Sequence, residues 1–148
     1  MIFLDTDICI DILNGKQQFK NLIDTLNTAQ FGIAAPSIFE LYHGLYKLKY
    51  LKKEIAPQKF EKLIQDLNAF INRLNIFPLN ETSAELSAKI HMQLKGEGKE
   101  IDIFDCLIAG VILANNFTQI LTYNTDHFVR IPGLAVVKFD RNEAKSNK

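Results

Sequence analysis

Acidic residues stand in this sequence at places where a purely structural acid has little reason to be. Asp5 follows the apolar run Ile2-Phe3-Leu4 and opens the triplet Asp5-Thr6-Asp7. Asp102 and Asp105 lie three apart at the head of Ile103–Ala114, a segment that is otherwise almost wholly apolar. Glu40 interrupts Ile38-Phe39-Glu40-Leu41-Tyr42, and Asn124 and Asp126 follow the short run from Gln119 to Thr122. Each has an ordinary explanation. Asp5, Asp7 and Asp102 can cap helices, Asp105 in a first helical turn gains from the helix dipole, and a glutamate early in a helix is commonly solvent-facing. Asp105 fits its explanation worst, because Phe104, Cys106, Leu107 and Ile108 surround it with apolar sequence, and burying an unpaired carboxylate is costly. Several carboxylates that converge cannot all stay ionised without a positive partner. Oxygen-only ligands select hard cations such as Mg²⁺ or Mn²⁺ over zinc. His43, His91 and His127 lack the paired spacing of a zinc site, and His43 reads as a partly buried helix residue. Cys9 and Cys106 lie in apolar runs without CxxC spacing and read as core thiols.

Short strands and helices alternate to position these acids. Ile2 to Leu4 reads as a buried strand, Ile8 to Leu13 as a short helix closed by Asn14-Gly15, and Phe19, Leu22, Ile23 and Leu26 recur at helical spacing. Phe31 to Ala34 is a second strand. Pro36 opens a helix through about Leu51 with the stripe Ile38, Leu41, Leu45, Leu48. Pro57 starts another helix with Phe60, Leu63, Ile64, Leu67 and Ile71 on one side. Asn75 to Leu79 is a third strand, and Asn80 or Thr82 caps a helix that turns Leu86, Ile90 and Leu94 inward. A Gly-rich break, Lys95 to Lys99, precedes the apolar helix Ile103–Ala114, which belongs deep in the core. Gln119 to Thr122 and Ala135 to Phe139 complete five strands. The pattern predicts an α/β domain of three layers, α/β/α, with a mainly parallel sheet, spanning residues 1–141 and followed by a polar tail from 142 to 148. In such sheets ligands bind beyond the carboxyl ends of the strands, which gives Asp5, Thr122, Asn124 and Asp126 a shared address.

At 148 residues and 47% hydrophobic the chain suits one domain with a full core. No apolar run is long enough to span a bilayer, and the first residues show no signal-peptide pattern, so the expected location is the cytosol. The 17 basic and 17 acidic residues cancel, which counts against a binder of nucleic acid by bulk charge. Lysines 47, 49, 52, 53, 59 and 62 nevertheless face only Glu54 and Glu61 between them. Tyr42, Tyr46 and Tyr50 recur in the same region at i, i+4 and i+8, either packing on the next helix or marking an interface with a partner.

Phe3-Leu4-Asp5-Thr6, Pro36-Ser37-Ile38-Phe39-Glu40-Leu41, Asp105-Cys106-Leu107-Ile108-Ala109 and Leu121-Thr122-Tyr123-Asn124-Thr125-Asp126-His127-Phe128 resemble, in order, the blocks of VapC-type PIN-domain toxins. The closing Ile131-Pro132-Gly133-Leu134 is similar too, so the resemblance spans essentially the whole chain. It implies an endoribonuclease that hydrolyses RNA phosphodiesters to 5′-phosphate and 3′-hydroxyl ends and forms the toxin half of a type II toxin–antitoxin pair; a homodimer is expected as well, from the row Tyr42, Tyr46 and Tyr50. Asp5, Glu40 and Asp105 map onto the family's acidic positions, as catalytic groups and as ligands for Mg²⁺, with Mn²⁺ as a substitute. Many members carry a fourth acid where this chain has Asn124, and Asp126 is available in its place. Thr6, Asp102, Thr122 and Asn124 are the expected supporting residues. Two other readings compete. Leu4-Asp5-Thr6-Asp7 is the hhDxD pattern of a haloacid-dehalogenase-like phosphatase with Asp5 as nucleophile, although Ile8-Cys9 replaces its usual Gly-Thr. The other is a PIN-like scaffold that only binds a partner or RNA.

Overall fold

Phe3 and Leu4 lie on opposite faces of the first strand and each begins a separate core. The computed structural model describes residues 1–16 and 30–137. Its strands are β1 (Ile2–Leu4), β2 (Phe31–Ala34), β3 (Asn75–Phe77), β4 (Gln119–Leu121) and β5 (Ala135–Val137). Its helices are α1 (Thr6–Leu13), α2 (Ala35–Lys47), α3 (Pro57–Asn72), α4 (Glu81–Gly96), α5 (Ile103–Ala114) and α6 (Thr125–Phe128), with a π-helical turn, Leu48–Lys52, continuing α2. All four strand pairings are parallel.

Side chains alternate across a strand, and the two cores follow that alternation. Phe3, Ala34 and Ile120 join Ile90, Leu94, Ile108 and Ile112 beneath α4 and α5. Leu4, Ile33 and Leu121 join Ile8, Leu41, Leu67 and Ile71 beneath α1, α2 and α3. The expected three-layer α/β/α arrangement is therefore what forms. A parallel strand covered on both faces has no polar side to spare, which is why β1 and β2 read as continuous apolar runs.

Local sequence sets the ends of these elements. Pro36 and Pro57 occupy the first turns of α2 and α3, where a missing N–H is harmless. Asn80, rather than Thr82, caps α4: its side chain accepts from the Ser83 N–H while the Ser83 hydroxyl accepts from the Asn80 N–H. The α-helix expected to reach Leu51 ends at Lys47; the chain widens into the π turn and stops where Lys53 takes a left-handed conformation at φ 55°. The expected third strand is shorter than Asn75 to Leu79. The helical stretch around Phe19 to Leu26, the end of the fifth strand beyond Val137 and the polar tail lie outside the described residues.

Helices α4 and α5 approach each other closely at Gly110. A Cβ there would sit 1.9 Å from Ser87 Oγ and 2.7 Å from the Ser83 carbonyl oxygen. Ser87 cannot swing aside freely, since its hydroxyl donates to that same carbonyl at 2.7 Å. Gly110→Ala must push two buried helices apart, and we expect it to destabilise the fold by about 1–3 kcal/mol, read as a lower urea midpoint with an unchanged slope.

The strand order, β3-β2-β1-β4-β5, locates the site. From β1 the chain builds outward through β2 and β3 on one side, then crosses to β4 and β5 on the other. The connections leaving β1 and β4 part in opposite directions, and the crevice between their carboxyl ends is the topological switch point where ligands of open α/β sheets bind.

Candidate active site

Asp5 is the first residue beyond β1, so it stands at that crevice. Its backbone N–H still donates to the Leu121 carbonyl of β4 at 3.0 Å, which fixes the residue between the two strands. Only 5% of it is exposed. One carboxylate oxygen accepts from the Thr6 N–H at 2.8 Å, capping α1, and the other from the Thr122 hydroxyl at 2.6 Å. The capping role and a site role thus coincide in one side chain. Asp7 uses its two oxygens on the N–H groups of Ile8, at 2.7 Å, and Tyr123, at 3.1 Å, tying α1 to the segment after β4.

The remaining acids come from two helices that start at this edge of the sheet. Glu40, in the second turn of α2, accepts from the Thr6 hydroxyl at 2.8 Å. Asp105, in the first turn of α5, is buried, and its Oδ2 meets both Asn124 Nδ2 at 2.9 Å and His127 Nδ1 at 2.7 Å. The same Asn124 nitrogen lies 2.8 Å from His127 Nδ1. The arrangement that satisfies all three atoms places a proton on Nδ1, so that amide and imidazole both donate to the carboxylate. Asp5, Asp7, Glu40 and Asp105 line one cleft of about 470 Å³ together with Thr6, Ile10, Tyr123 and Asn124, and no Lys or Arg belongs to that lining.

The electrostatics follow from this crowding. Burial, reinforced by the charges of Asp7 and Asp105, pushes the Asp5 pKa to about 7 in spite of its bonds from Thr122 and Thr6. Glu40 is held above the usual carboxylate range by partial burial first, then by Asp105, Asp102 and Asp7, against the bond from Thr6. Asp105 is raised by burial and by Asp102, and lowered by His127 and Asn124. Each acid thus resists ionisation partly because of the others, which is the condition that a cation relieves. The donor set suits a hard cation, being carboxylate oxygen throughout the cleft. It is not a closed cage: among the described residues no three His, Cys, Asp or Glu side chains are gathered tightly enough to grip an ion as they stand.

The other residues singled out in the sequence fall into place around the cleft or away from it. Thr6 and Thr122 are the hydroxyl donors to Glu40 and Asp5. Asp102 is exposed and caps α5, accepting from the Phe104 N–H at 2.8 Å; it reaches Asp105 and Glu40 only through its charge. Asp126 is exposed and absent from the cleft lining. The short helix α6 turns it outward while burying Phe128 and aiming His127 at Asp105, so the fourth place beside the acids is filled by Asn124 and His127 instead. His127 is the residue the sequence did not disclose. Its signal is the i, i+3 spacing from Asn124, which carries meaning only once α6 is known to exist. His43 is exposed rather than partly buried, because it points off the outer face of α2. Cys9 and Cys106 are both buried free thiols.

An all-parallel sheet with carboxylates converging on its switch point defines an α/β domain with an acidic cleft. The chain belongs to the PIN domain family, whose model matches residues 2–134. It is 26% identical over 133 residues to the tRNA(fMet)-specific endonuclease VapC of Salmonella typhimurium, covering 90% of this chain and 93% of that one. It is 29% identical over 140 residues to Ribonuclease VapC2 of Rickettsia felis, covering 93% and 97%. Among solved structures it is similar to VapBC2 of Rickettsia felis bound to a DNA fragment from their promoter, at TM-score 0.77 and 28% identity over 95% of this chain and 100% of that one. It is equally similar in fold to DNA-bound VapBC of Salmonella typhimurium, at TM-score 0.77 and 26% identity, covering 92% and 96%. This membership sets aside the phosphatase reading of Asp5-Thr6-Asp7. No helix among the described residues is long and apolar enough to cross a membrane.

Proposed function

We propose that this chain is a divalent-cation-dependent endoribonuclease and the toxin partner of an antitoxin protein. The observation that carries the reading is the gathering of Asp5, Glu40 and Asp105 in one cleft without a basic residue, each with its proton affinity raised chiefly by burial and further by nearby carboxylates. The similarity to chains named as endonuclease and ribonuclease supplies the substrate class, and the similarity to VapBC complexes supplies the antitoxin. A homodimer in the cytosol belongs to the same reading.

Asp5, Glu40 and Asp105 would hold Mg²⁺, or Mn²⁺ in its place. When bound, such an ion activates water at neutral pH and neutralises charge on the phosphoryl oxygens. The chain's own groups do the rest. The Thr122 hydroxyl and Thr6 N–H fix Asp5 through both its oxygens. The Thr6 hydroxyl holds one oxygen of Glu40, leaving the other to orient the attacking water and take its proton, a task that a raised pKa favours. Asn124 and His127 fix Asp105 on the opposite wall, in the fourth place for which the sequence offered both Asn124 and Asp126. In-line attack of the water on phosphorus would break the P–O3′ bond, with a proton from solvent passing to O3′, and so leave a 5′-phosphate on one product and a 3′-hydroxyl on the other.

Incubation of the purified chain with initiator tRNA and with total RNA in Mg²⁺ tests the reading. Cleavage is expected, and both EDTA and Asp105→Asn should abolish it. Cutting that persists in EDTA, or a full rate in the variant, would reject the assignment, as would an inert wild-type chain.

A further inference from the structure

Four ring side chains follow one another along the outer face of α2 and its π-helical continuation: Phe39, His43, Tyr46 and Tyr50. Spacings of four, three and four return to the same side of a helix. The rings are not tucked away. Phe39 is 55% exposed, Tyr46 44% and Tyr50 61%, and His43 is exposed too. They stack in pairs along the row, Phe39 on His43 with centroids 5.4 Å apart at 14°, and Tyr46 on Tyr50 at 6.1 Å and 29°. At its inner end Phe39 stacks on Phe104 of α5 at 5.4 Å and 21°. The row therefore begins between the residues that immediately precede Glu40 and Asp105.

Its outer end is basic. Lys47, Lys49, Lys52 and Lys53 are all exposed around Tyr46 and Tyr50, and the Lys49 ammonium lies 4.8 Å from the centroid of Phe60 and 5.4 Å from that of Tyr50. From Glu40 to Tyr50 the helix advances about 15 Å, the length of about four stacked nucleotides at 3.4 Å each.

We propose that this row is a stacking track for single-stranded RNA, which leads the strand into the acidic cleft with its bases on the rings and its phosphates toward the lysines. The inference rests on the nuclease reading and names how that site acquires substrate. The need for it is electrostatic. A cleft lined by four carboxylates and no cation repels a phosphodiester strand, and a chain of zero formal charge adds no net attraction, which leaves the local lysines and the rings to draw the strand in. Stacking on aromatic rings is insensitive to that repulsion and tolerant of sequence. Rings beside lysines are what single strands bind, whereas the central patch of a protein interface is depleted in lysine.

The test is binding of a short labelled single-stranded RNA in EDTA, where no cleavage intervenes, compared with the same RNA in a duplex. Tyr50→Leu and Tyr46→Leu should each weaken single-strand binding by roughly 5- to 100-fold, and Tyr50→Phe should restore it. Lys49→Gln should lessen the salt dependence of binding. Because the chain has four tyrosines and no tryptophan, wild-type tyrosine emission should fall as RNA is added, a readout that requires no variant to fold. Unchanged RNA affinity in both leucine variants would overturn the track, as would duplex bound as tightly as single strand. Loss of antitoxin binding or of a dimer, with RNA affinity intact, would assign the row to a protein partner and equally overturn it. Ring-dependent binding by a wild-type chain that cuts no RNA would instead overturn the nuclease reading and leave the track standing.

Discussion

Asp5→Asn should lower RNA cleavage by at least ~100-fold while leaving the metal-free protein more stable than its parent at pH 8. The two effects share one cause. Burial and the neighbouring charges hold the Asp5 pKa near 7, against 3.8 for an ordinary aspartate. Between those values the folded chain binds the Asp5 proton and the unfolded chain does not. Stability therefore falls as pH rises from about 4 to about 7, by at most ~4 kcal/mol. Asparagine is neutral throughout, so the variant should lose this slope and stand above the parent on the alkaline side. Its carbonyl oxygen can still accept from the Thr6 N–H, and Asn caps a helix about as well as Asp. Thermal melts of both proteins in EDTA from pH 5 to pH 8, beside cleavage assays in Mg²⁺, decide the matter. Parallel stability curves would contradict the buried-acid argument, and full activity in the variant would contradict the site.

Divalent cation should stabilise the parent, and should do so more strongly at high pH. Ligand carboxylates must be ionised to bind, so each proton displaced weakens the metal about tenfold per pH unit below the ligand's pKa. With Mg²⁺ at about 100 times its Kd at pH 8 the fold should gain ~2.7 kcal/mol. At pH 5.5 Asp5 alone weakens binding by about 30-fold, and the same concentration should add only ~0.8 kcal/mol. Added metal should thus roughly cancel, between pH 5.5 and 8, the decline in stability that the bare Asp5 imposes as pH rises. Asp5→Asn should respond weakly at either pH. Equal melting shifts at pH 5.5 and 8, or a variant that responds as the parent does, would remove Asp5 from the ligand set.

The sequence disclosed those parts of the molecule whose signals are local. Apolar runs ending in Asp5 and Ala34 announce buried parallel strands, and the apolar stretch Ile103–Ala114 announces a core helix with Asp102 at its cap. Asp5 was legible as an acid at the end of an apolar strand and Asp105 because an acid inside an apolar segment conflicts with burial, whereas Glu40 had an ordinary explanation and stood out only through the family resemblance. What remained hidden depends on three-dimensional closure. The helix α6 has only four residues and too little periodicity to be seen, so His127 had no face assigned to it. Asp126 looked as suitable as Asn124 until that turn sent one outward and the other toward Asp105. The tyrosine spacing at 42, 46 and 50 suggested one row, but Tyr42 turns to bond Asn68 of α3, and the exposed row instead takes in Phe39 and His43. Periodicity gives the angle between residues, and only packing gives the direction in which the whole face points.

The two walls of the cleft are anchored very differently. Asp105 stands on α5, seven of whose twelve residues are buried, whereas Glu40 stands on α2, where only Pro36, Ser37 and Leu41 are. Amide protons of α5 should therefore exchange with solvent only when the entire domain opens, while those of α2 exchange through smaller local fluctuations. One wall of the cleft is a fixed reference and the other can yield. Whatever loads the cleft should slow exchange chiefly along α2, and the freedom lost there is part of the entropic cost of assembling the reactive arrangement.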